Sequence, residues 1–260
     1  MENAQPIHCE ILGAGPDVVL VHGWGMHGGV WREFALRLAE QFRVYLIDLP
    51  GHGRSGMIES YTLEGLAQAL SQTVPVRAHW LGWSLGGMIA LKVAAQYPDR
   101  VASLTLMAGN VCFSRREDWS CAMEPELLAK FAADLMGNYH ATLIRFLGLQ
   151  TWGLENARAL MLQLRERIQA CGLPDTEALR AGLSILQRAD LRSDLRALKQ
   201  PVLLLMGGKD RLVPAAAGAH MQQLAAAAEL QLLVTAAHVP FLTHEQTCIA
   251  RLEEFWGHCA

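Results

Sequence analysis

Short, almost continuous apolar runs alternate along the chain with stretches whose apolar residues recur at helical spacing. The runs predict strands at residues 18–21, 43–48, 79–81, 101–107, 201–206 and 229–234. The helical spacing predicts helices at 30–41, 62–73 and 214–227, another directly after residue 84, and a terminal one beginning near 245. Strands that are apolar throughout and separated by helices are typical of a mostly parallel sheet covered by helices on both faces. The pattern therefore predicts an α/β fold.

The alternation stops between residues 112 and 188, where no run has the pattern of a strand. Helical spacing in this segment predicts helices at 124–136, 138–149, 154–170 and 175–187. A helical segment inserted after a strand of an α/β sheet predicts a lid over the strand ends, although an extension that only stabilises the fold has the same pattern. We therefore expect residues 1–111 and 189–260 to form the core, and residues 112–188 to form a helical lid.

The stretch around Ser84 has the pattern of a sharp turn between a strand and a helix. Gly82-Trp83-Ser84-Leu85-Gly86 follows an apolar run, and a long Ala- and Leu-rich stretch comes after it. A serine at such a turn has a strained backbone and projects its hydroxyl from the end of the strand. The residues two before and two after the serine face neighbouring backbone, where side chains would clash, and both are glycine. The pattern predicts that Ser84 is a nucleophile; a glycine-rich turn that merely contains a serine is the structural alternative.

A serine hydroxyl needs a base to take its proton and a third group to orient that base. Asp210 follows one predicted strand, and His238 follows the next. The order Ser84, Asp210, His238 is the order found in hydrolases whose serine lies on a strand–turn–helix motif. We therefore expect His238 to take the proton from Ser84, and Asp210 to fix the imidazole tautomer and stabilise the imidazolium.

Other histidines and aspartates could fill these two roles. The alternative bases are His22, His52, His79 and His244, and the alternative orienting groups are Asp48, Asp190 and Asp194. His22 and His52 flank glycine turns, which favours loop-stabilising hydrogen bonds for both. Asp190 and Asp194 lie in an arginine-rich, helix-like stretch, where solvent exposure is the expectation.

Two backbone N–H groups are candidates for an oxyanion hole. The N–H of Leu85 points into the start of the predicted helix, where the helix dipole favours a developing negative charge. Trp24 follows the strand at 18–21, and hydrolases with this kind of serine turn present a second N–H from such a loop. We expect the N–H of Trp24 to supply that donor and its indole to form a pocket wall.

Composition narrows the classes of function. The chain has 260 residues, 52% of them apolar, and a formal charge of −3, which favours neither a nucleic-acid nor a membrane partner. Residues 1–15 lack the basic and apolar segments of a secretory signal, so the cytoplasm is the expected compartment. The six cysteines form no Cys-x-x-Cys pair, and no cluster has metal-site spacing. Free thiols and the absence of a metal or other cofactor are therefore expected.

Several motifs together resemble those of the α/β-hydrolase superfamily over the whole chain. They are His22-Gly23-Trp24, Asp48-Leu49-Pro50-Gly51-His52-Gly53-Arg54-Ser55, Gly82-Trp83-Ser84-Leu85-Gly86-Gly87, Gly208-Lys209-Asp210 and Ala237-His238. Four segments narrow the resemblance to the esterase family that removes the methyl ester from pimeloyl-acyl carrier protein in biotin synthesis. These segments are residues 21–26, residues 80–87, residues 112–114 with Trp119, and residues 145–151.

The resemblance implies an α/β-hydrolase fold with an inserted lid and a serine carboxylesterase that forms an acyl-enzyme on Ser84 without a metal or cofactor. It implies a cytoplasmic enzyme, for which we expect a monomer. It further implies that the substrate contacts Trp24, Ser84, Leu85, His238, Phe146, Leu147, Gly148, Leu149 and Gln150, the last five along the acyl chain.

The resemblance also implies an acyl carrier protein as the partner that bears the substrate. Lid arginines grip the acidic carrier in that esterase family, which implies carrier contacts for Arg145 and Arg158. Arg165 or Arg167 is a candidate to replace a further family arginine.

Two other functions stay open from the sequence. One is a general short-chain esterase, lactonase or carbon–carbon bond hydrolase of the same fold that acts on a free small molecule, because fold and triad do not set the substrate. The other is a binding protein that recognises a ligand without turnover, against which the intact serine, aspartate and histidine argue.

Overall fold

A seven-stranded sheet forms the centre of the computed structural model, which describes residues 7–74, 76–225 and 227–259. The strands are β1 Cys9–Leu12, β2 Asp17–Val21, β3 Arg43–Ile47, β4 Ala78–Trp83, β5 Val101–Met107, β6 Val202–Gly207 and β7 Glu229–Leu233. Their order across the sheet is β1-β3-β2-β4-β5-β6-β7. Only the edge strand β1 is antiparallel to its neighbour, so the expected mostly parallel sheet is confirmed.

Helices connect the strands and cover the sheet. They are α1 Arg32–Leu38, α2 Leu63–Thr73, α3 Leu85–Gln96, α4 Pro125–Gly137, α5 Tyr139–Gln150, α6 Ala157–Ala170, α7 Thr176–Arg188, α8 Arg192–Ala197, α9 Ala216–Leu224, α10 Pro240–Thr243 and α11 Glu245–Gly257. Helix α3 contacts α2 and α8, and α8 also contacts α9. Helix α1 instead contacts α11. The helix expected at 30–41 is shorter, because the chain first forms a 3₁₀ turn over Gly28–Trp31.

The apolar runs of the sequence correspond to strands of the sheet. Helices cover both faces of these parallel strands, so side chains on both faces are buried and apolar. Every residue of β4, β5 and β6 is buried. The β4 strand lies between β2 and β5, so the turn that follows it is in the middle of the sheet. This position places Ser84, the residue after β4, at the centre of the carboxyl edge, where α/β proteins collect their ligands.

The helices α4 to α7 lie in the chain between β5 and β6, as the sequence predicted. Two isolated backbone pairings, Ser114 with Met123 and Arg116 with Trp119, precede them without forming a strand. The segment leaves and rejoins the core at one point, where the N–H of Leu191 donates to the carbonyl of Val111 at 2.8 Å. The adjacent strands β5 and β6 are paired directly, so the sheet is continuous beneath the segment.

Residues 7–74, 76–225 and 227–259 include no helix with the length and apolar character required to cross a membrane.

Candidate active site

The turn that carries Ser84 is strained, as the sequence predicted. Ser84 has φ 56° and ψ −120°, a backbone conformation that costs a non-glycine residue about 1–3 kcal/mol. A Cβ on Gly82 would lie 2.2 Å from the carbonyl oxygen of Gly86, and one on Gly86 would lie 2.3 Å from that of Val21. Only glycine fits at either position, so the clash expected two residues on each side of the serine is confirmed.

His238 and Asp210 form a buried pair beside this turn. The Nδ1 atom of His238 lies 2.7 Å from Oδ2 of Asp210, and neither side chain is exposed. The other oxygen of Asp210, Oδ1, accepts the backbone N–H groups of Leu212 and Val213 at 2.8 and 3.0 Å. A carboxylate can only accept, so Nδ1 carries the proton and Nε2 has a free lone pair. In the described part of the chain, this buried Nε2 has no hydrogen-bond partner.

His238 is held in place by two residues, Trp83 and Gln150, that the sequence did not identify for this role. The indole Nε1–H of Trp83 donates to the carbonyl of His238 at 2.7 Å, and the two rings lie 5.7 Å apart. The N–H of His238 donates to the carbonyl of Gln150 at 3.2 Å. Trp83 is the residue before Ser84, so one short segment contacts the histidine and carries the serine. Its place inside the serine motif was the only signal available for Trp83, and the sequence contains none for the carbonyl of Gln150.

The loop after β2 lies against the serine. A Cβ on Gly23 would lie 3.2 Å from Cβ of Ser84, so Trp24 follows a residue in direct contact with the serine turn. The indole of Trp24 is buried and its Nε1–H donates to the carbonyl of Leu179 in α7 at 2.8 Å. Leu85 is the first residue of α3, where helical N–H groups have no intrahelical acceptor. The two residues expected to supply the oxyanion hole therefore belong to separate elements that meet at the serine turn.

The alternative bases after β2 and β3 stabilise loops. His22 Nδ1–H donates to the carbonyl of Gly23 at 2.8 Å, and its Nε2 accepts the N–H of Leu49 at 2.9 Å. His52 Nδ1–H donates to the carbonyl of Pro50 at 2.9 Å. Burial, and next the adjacent His52, hold the pKa of His22 well below its usual value. Burial lowers the pKa of His52 to about 4. The loop-stabilising role expected for both histidines is confirmed.

The remaining alternative bases have partners of their own. His79 lies near the start of β4, where its Nδ1 is 2.8 Å from Oγ of Ser103 and its ring stacks on Trp256. His244 is 2.8 Å from the hydroxyl oxygens of Thr235 and Thr243. The hydrogen bonds of both histidines are therefore made to residues other than Ser84 and Asp210.

The alternative aspartates are also engaged elsewhere. Asp48 accepts the N–H groups of Gly28 and Arg54 at 2.6 and 2.9 Å, and so ties two loops together. The solvent exposure expected for Asp190 and Asp194 is wrong, because both are half-buried in ion pairs. Arg192 contacts Asp190 at 2.6 Å, and Lys92 contacts Asp194 at 3.2 Å.

The residues expected along the acyl chain divide between two faces of α5. Phe146, Leu147 and Gln150 are buried. The ring of Phe146 packs edge-on against the indole of Trp24, with centroids 4.8 Å apart. Gly148 and Leu149 instead line a groove on the outer side, between α4 and α5. The structure thus places Phe146 against Trp24 and Gln150 against His238, keeps Leu147 buried, and turns Gly148 and Leu149 outwards.

The arginines of the helical segment differ in their surroundings. Arg145 is half-exposed and bound to Asp134 at 3.0 Å, and Arg158 and Arg165 are exposed. Arg167 turns inwards, where its guanidinium donates to the carbonyl of Val30 at 2.6 Å and pairs with Glu33. Arg167 therefore fastens α6 to the 3₁₀ turn Gly28–Trp31 and to α1, and is not presented to a partner.

All six cysteines are free, as the sequence predicted. Across the described ranges, no three His, Cys, Asp or Glu side chains are grouped so that they could hold a metal ion.

A family model described as the α/β hydrolase fold matches residues 16–245. The chain therefore belongs to the α/β-hydrolase family, and the predicted fold class is confirmed.

Similar proteins narrow this class. The chain is 45% identical over 246 residues to the pimeloyl-[acyl-carrier protein] methyl ester esterase of Methylococcus capsulatus, covering 95% of this chain and 96% of that protein. It is 41% identical over 244 residues to the protein of the same name from Nitrosomonas europaea, covering 94% and 97%. The fold is similar to that of an esterase from Exiguobacterium antarcticum, with a TM-score of 0.87, 22% identity, and coverage of 96% and 94%. The two relatives of that name confirm the resemblance to the pimeloyl-[acyl-carrier protein] methyl ester esterase family that the sequence showed.

Proposed function

We propose that this chain is a serine carboxylesterase that hydrolyses the methyl ester of a pimeloyl group carried on acyl carrier protein, in biotin synthesis. The observation that carries the chemistry is the buried His238–Asp210 pair. The Nε2 atom of His238 has no partner among the described residues, and Trp83, the neighbour of Ser84, holds this histidine in place. The substrate follows from relatives of that name, which are similar to more than nine-tenths of the chain.

The first half of the reaction forms an acyl-enzyme. His238 Nε2 takes the proton of Ser84 Oγ as that oxygen attacks the carbonyl carbon of the methyl ester. The negative charge on the carbonyl oxygen develops between the N–H groups of Leu85 and Trp24. The bond to the methoxy group then breaks, and methanol leaves with the proton that His238 had taken. Asp210 stabilises the imidazolium and keeps Nδ1 protonated throughout.

The second half returns the enzyme to its starting state. Water gives a proton to His238 Nε2 and attacks the acyl carbon of the ester with Ser84. The tetrahedral intermediate uses the same two N–H groups, and Ser84 Oγ leaves with the proton from His238. The product is a free carboxylate at the far end of the pimeloyl chain, which is still attached to the carrier.

The helices α4 to α7 act as a lid over this site. Three contacts support that role: the indole N–H of Trp24 with Leu179 in α7, the ring of Trp24 with Phe146 in α5, and the N–H of His238 with Gln150. On the buried face of α5, Phe146, Leu147 and Gln150 guide the acyl chain to the serine. The exposed Arg158 together with Arg145 contacts the acidic carrier.

The carrier-bound substrate also indicates where and how the enzyme works. An acyl carrier protein of biosynthesis is a cytoplasmic partner, so the reaction takes place in the cytoplasm. A single chain supplies the nucleophile, the base, the orienting group and both oxyanion donors, so the reaction needs no second copy of the chain, and we propose a monomer.

Turnover of two substrates tests the function. Methyl pimeloyl-carrier protein and a free short-chain ester are each incubated with the enzyme and with Ser84→Ala as the control. We expect the carrier substrate to have the higher kcat/KM and the control to be inactive on both. Turnover of the free ester alone would indicate a small-molecule hydrolase, and the absence of both turnover and a product burst would indicate a binding protein.

A further inference from the structure

Trp152 is the only tryptophan on the described surface of the chain. The chain has seven tryptophans, and the other six are buried, whereas 59% of Trp152 is exposed. It is the second residue after α5, in the turn that leads to Gly153, whose φ of 78° requires glycine. An exposed tryptophan on an ordered turn offers a partner a large apolar surface, and tryptophan is enriched among the residues that dominate the binding energy of interfaces.

Two open clefts meet at Trp152. The first has a volume of 410 Å³ and lies between α4 and α5, with a mostly apolar lining that includes Leu127, Phe131 and Leu149. The second has a volume of 450 Å³ and lies between the turn after α5 and the loop after β6, which carries Lys209 and Arg211. Trp152 lines both clefts, so an apolar ridge lies between two depressions that could receive side chains of a partner.

The rims of both clefts are predominantly basic. The first cleft includes Lys130 and Arg145, with Asp134 between them at 3.6 and 3.0 Å. The second includes the exposed Lys209 and Arg211, for which no acidic partner occurs in the described ranges. Asp210 also lines that cleft, but its side chain is buried against His238. Four positive charges therefore oppose one half-buried carboxylate, that of Asp134, although the whole chain has a net charge of −3.

We propose that the acidic carrier protein docks on this Trp152 surface, defined as Trp152, Lys130, Arg145, Lys209 and Arg211. Trp152 provides the apolar anchor, and the four basic side chains attract the carrier and set its orientation. The proposal rests on the proposed function and extends the carrier contact from the helical segment to the core. Because Lys209 and Arg211 flank Asp210, the docked carrier lies beside the loop that orients the histidine.

The anchor is tested with Trp152→Ala, with Leu36→Ala as the matched control. Leu36 is 48% exposed on α1 of the core, so its truncation removes exposed apolar surface away from the two clefts. The ratio of kcat/KM for methyl pimeloyl-carrier protein to kcat/KM for a free short-chain ester is measured for each. We expect Trp152→Ala to lower this ratio about tenfold through KM, and Leu36→Ala to leave it at the wild-type value. An unchanged ratio for Trp152→Ala would overturn the anchor.

The basic rim is tested with the double variant Lys209→Glu/Arg211→Glu. The matched control is Arg77→Glu/Lys199→Glu, which makes the same change in net charge at exposed positions before β4 and β6, at the opposite end of these strands. We expect the first double variant to raise KM for the carrier substrate about tenfold in low salt, and Lys209→Arg/Arg211→Lys to restore most of it. The control should raise KM by less than about twofold.

Binding of the carrier to Ser84→Ala separates docking from chemistry. Adding Trp152→Ala or the rim reversal to Ser84→Ala should weaken the dissociation constant for methyl pimeloyl-carrier protein about tenfold. Equal losses in the rim variant and its control would indicate a general charge effect and contradict the surface. Wild-type enzyme that does not hydrolyse the carrier substrate at all contradicts the proposed function instead, so the two failures are distinguishable.

Discussion

The backbone N–H of His238 donates to the carbonyl of Gln150, the last residue of α5, at 3.2 Å. The final carbonyls of a helix have no partner within it, and this one is satisfied by the residue proposed as the base. Phe146, one turn earlier in α5, packs on Trp24. The same helix therefore contacts the residue proposed to take the proton and the loop proposed to bind the oxyanion. A displacement of α5 would disturb both.

Replacement of Ser84 separates its chemistry from its backbone strain. Ser84→Ala and Ser84→Gly should each lower kcat by about 10⁶, the loss typical of a removed serine nucleophile. Ser84→Gly should nevertheless be about 1 kcal/mol more stable than Ser84→Ala, because glycine adopts the φ of 56° without a steric penalty. Ester turnover and urea unfolding measure the two effects. Residual activity above about one part in a thousand in Ser84→Ala would exclude Ser84 as the nucleophile.

Asp210→Asn should lower kcat by about 10⁴ with little change in fold. The asparagine Oδ1 can keep the N–H groups of Leu212 and Val213, which turns its NH₂ towards His238. His238 must then accept at Nδ1 and carry its proton on Nε2, the tautomer that cannot take a proton from Ser84. Steady-state kinetics and the thermal midpoint check this prediction. A loss below tenfold would reassign the orienting group.

Acid should destabilise the protein through His52. Burial lowers the pKa of His52 to about 4 in the folded chain, against about 6.5 in the unfolded chain. His52 therefore leaves the free energy of unfolding unchanged above pH 6.5 and lowers it as the pH decreases towards 4, because in this range only the unfolded chain takes up the proton. The loss from His52 is about 2 kcal/mol at pH 5.

Urea unfolding at pH 7.5 and pH 5 measures this loss. We expect His52→Gln to reduce the difference between the two pH values, whatever its effect on absolute stability. His258→Gln serves as the control because His258 is exposed near the end of α11, so its replacement should leave the difference as in the wild type. A His52→Gln protein with the full wild-type difference would show that His52 does not cause it.

The two proposed carrier contacts in the helical segment should differ in strength. Arg145 shares its charge with Asp134, whereas Arg158 is exposed and has no ion pair in the part of the chain that the structure describes. Arg158→Ala should therefore raise KM for the carrier substrate more than Arg145→Ala does, with kcat nearly constant. An increase in salt from about 50 to 500 mM shortens the screening length from about 14 to about 4 Å and should reproduce the effect. The reverse order of the two variants, or equal loss on a free ester, would contradict this.

The sequence identified the strands and the proposed catalytic residues for the same physical reason. Strands buried on both faces are apolar throughout, and the residues that follow them collect at one edge of the sheet. The edge strand β1 was missed because it is only partly buried and has no continuous apolar run. The stretch around Asp194 was described as helix-like, but the bounds of α8, Arg192–Ala197, could not be predicted because six residues are too few to show a helical period.

The sequence could not predict contacts that depend on how the helical segment lies against the core. Arg167 was a candidate carrier contact, yet it bonds to Val30 and Glu33, because α6 happens to present that side of its surface to the core. Nothing in the order of residues relates position 167 to position 30. The division of Phe146 to Gln150 between two faces of α5 follows from helical periodicity, but which face points to the serine depends on tertiary packing.

The hydrogen bond between Leu191 and Val111 has a consequence for how this protein changes over evolution. The residues expected along the acyl chain, from Phe146 to Gln150, lie in the one segment of the chain between these two residues. The serine, the aspartate and the histidine all lie outside it. Two crossovers, at codons whose residues meet in the folded protein, would exchange this segment while β5 and β6 stay paired. The new segment would keep the reaction chemistry only if it again accepted the N–H of His238 and packed against Trp24.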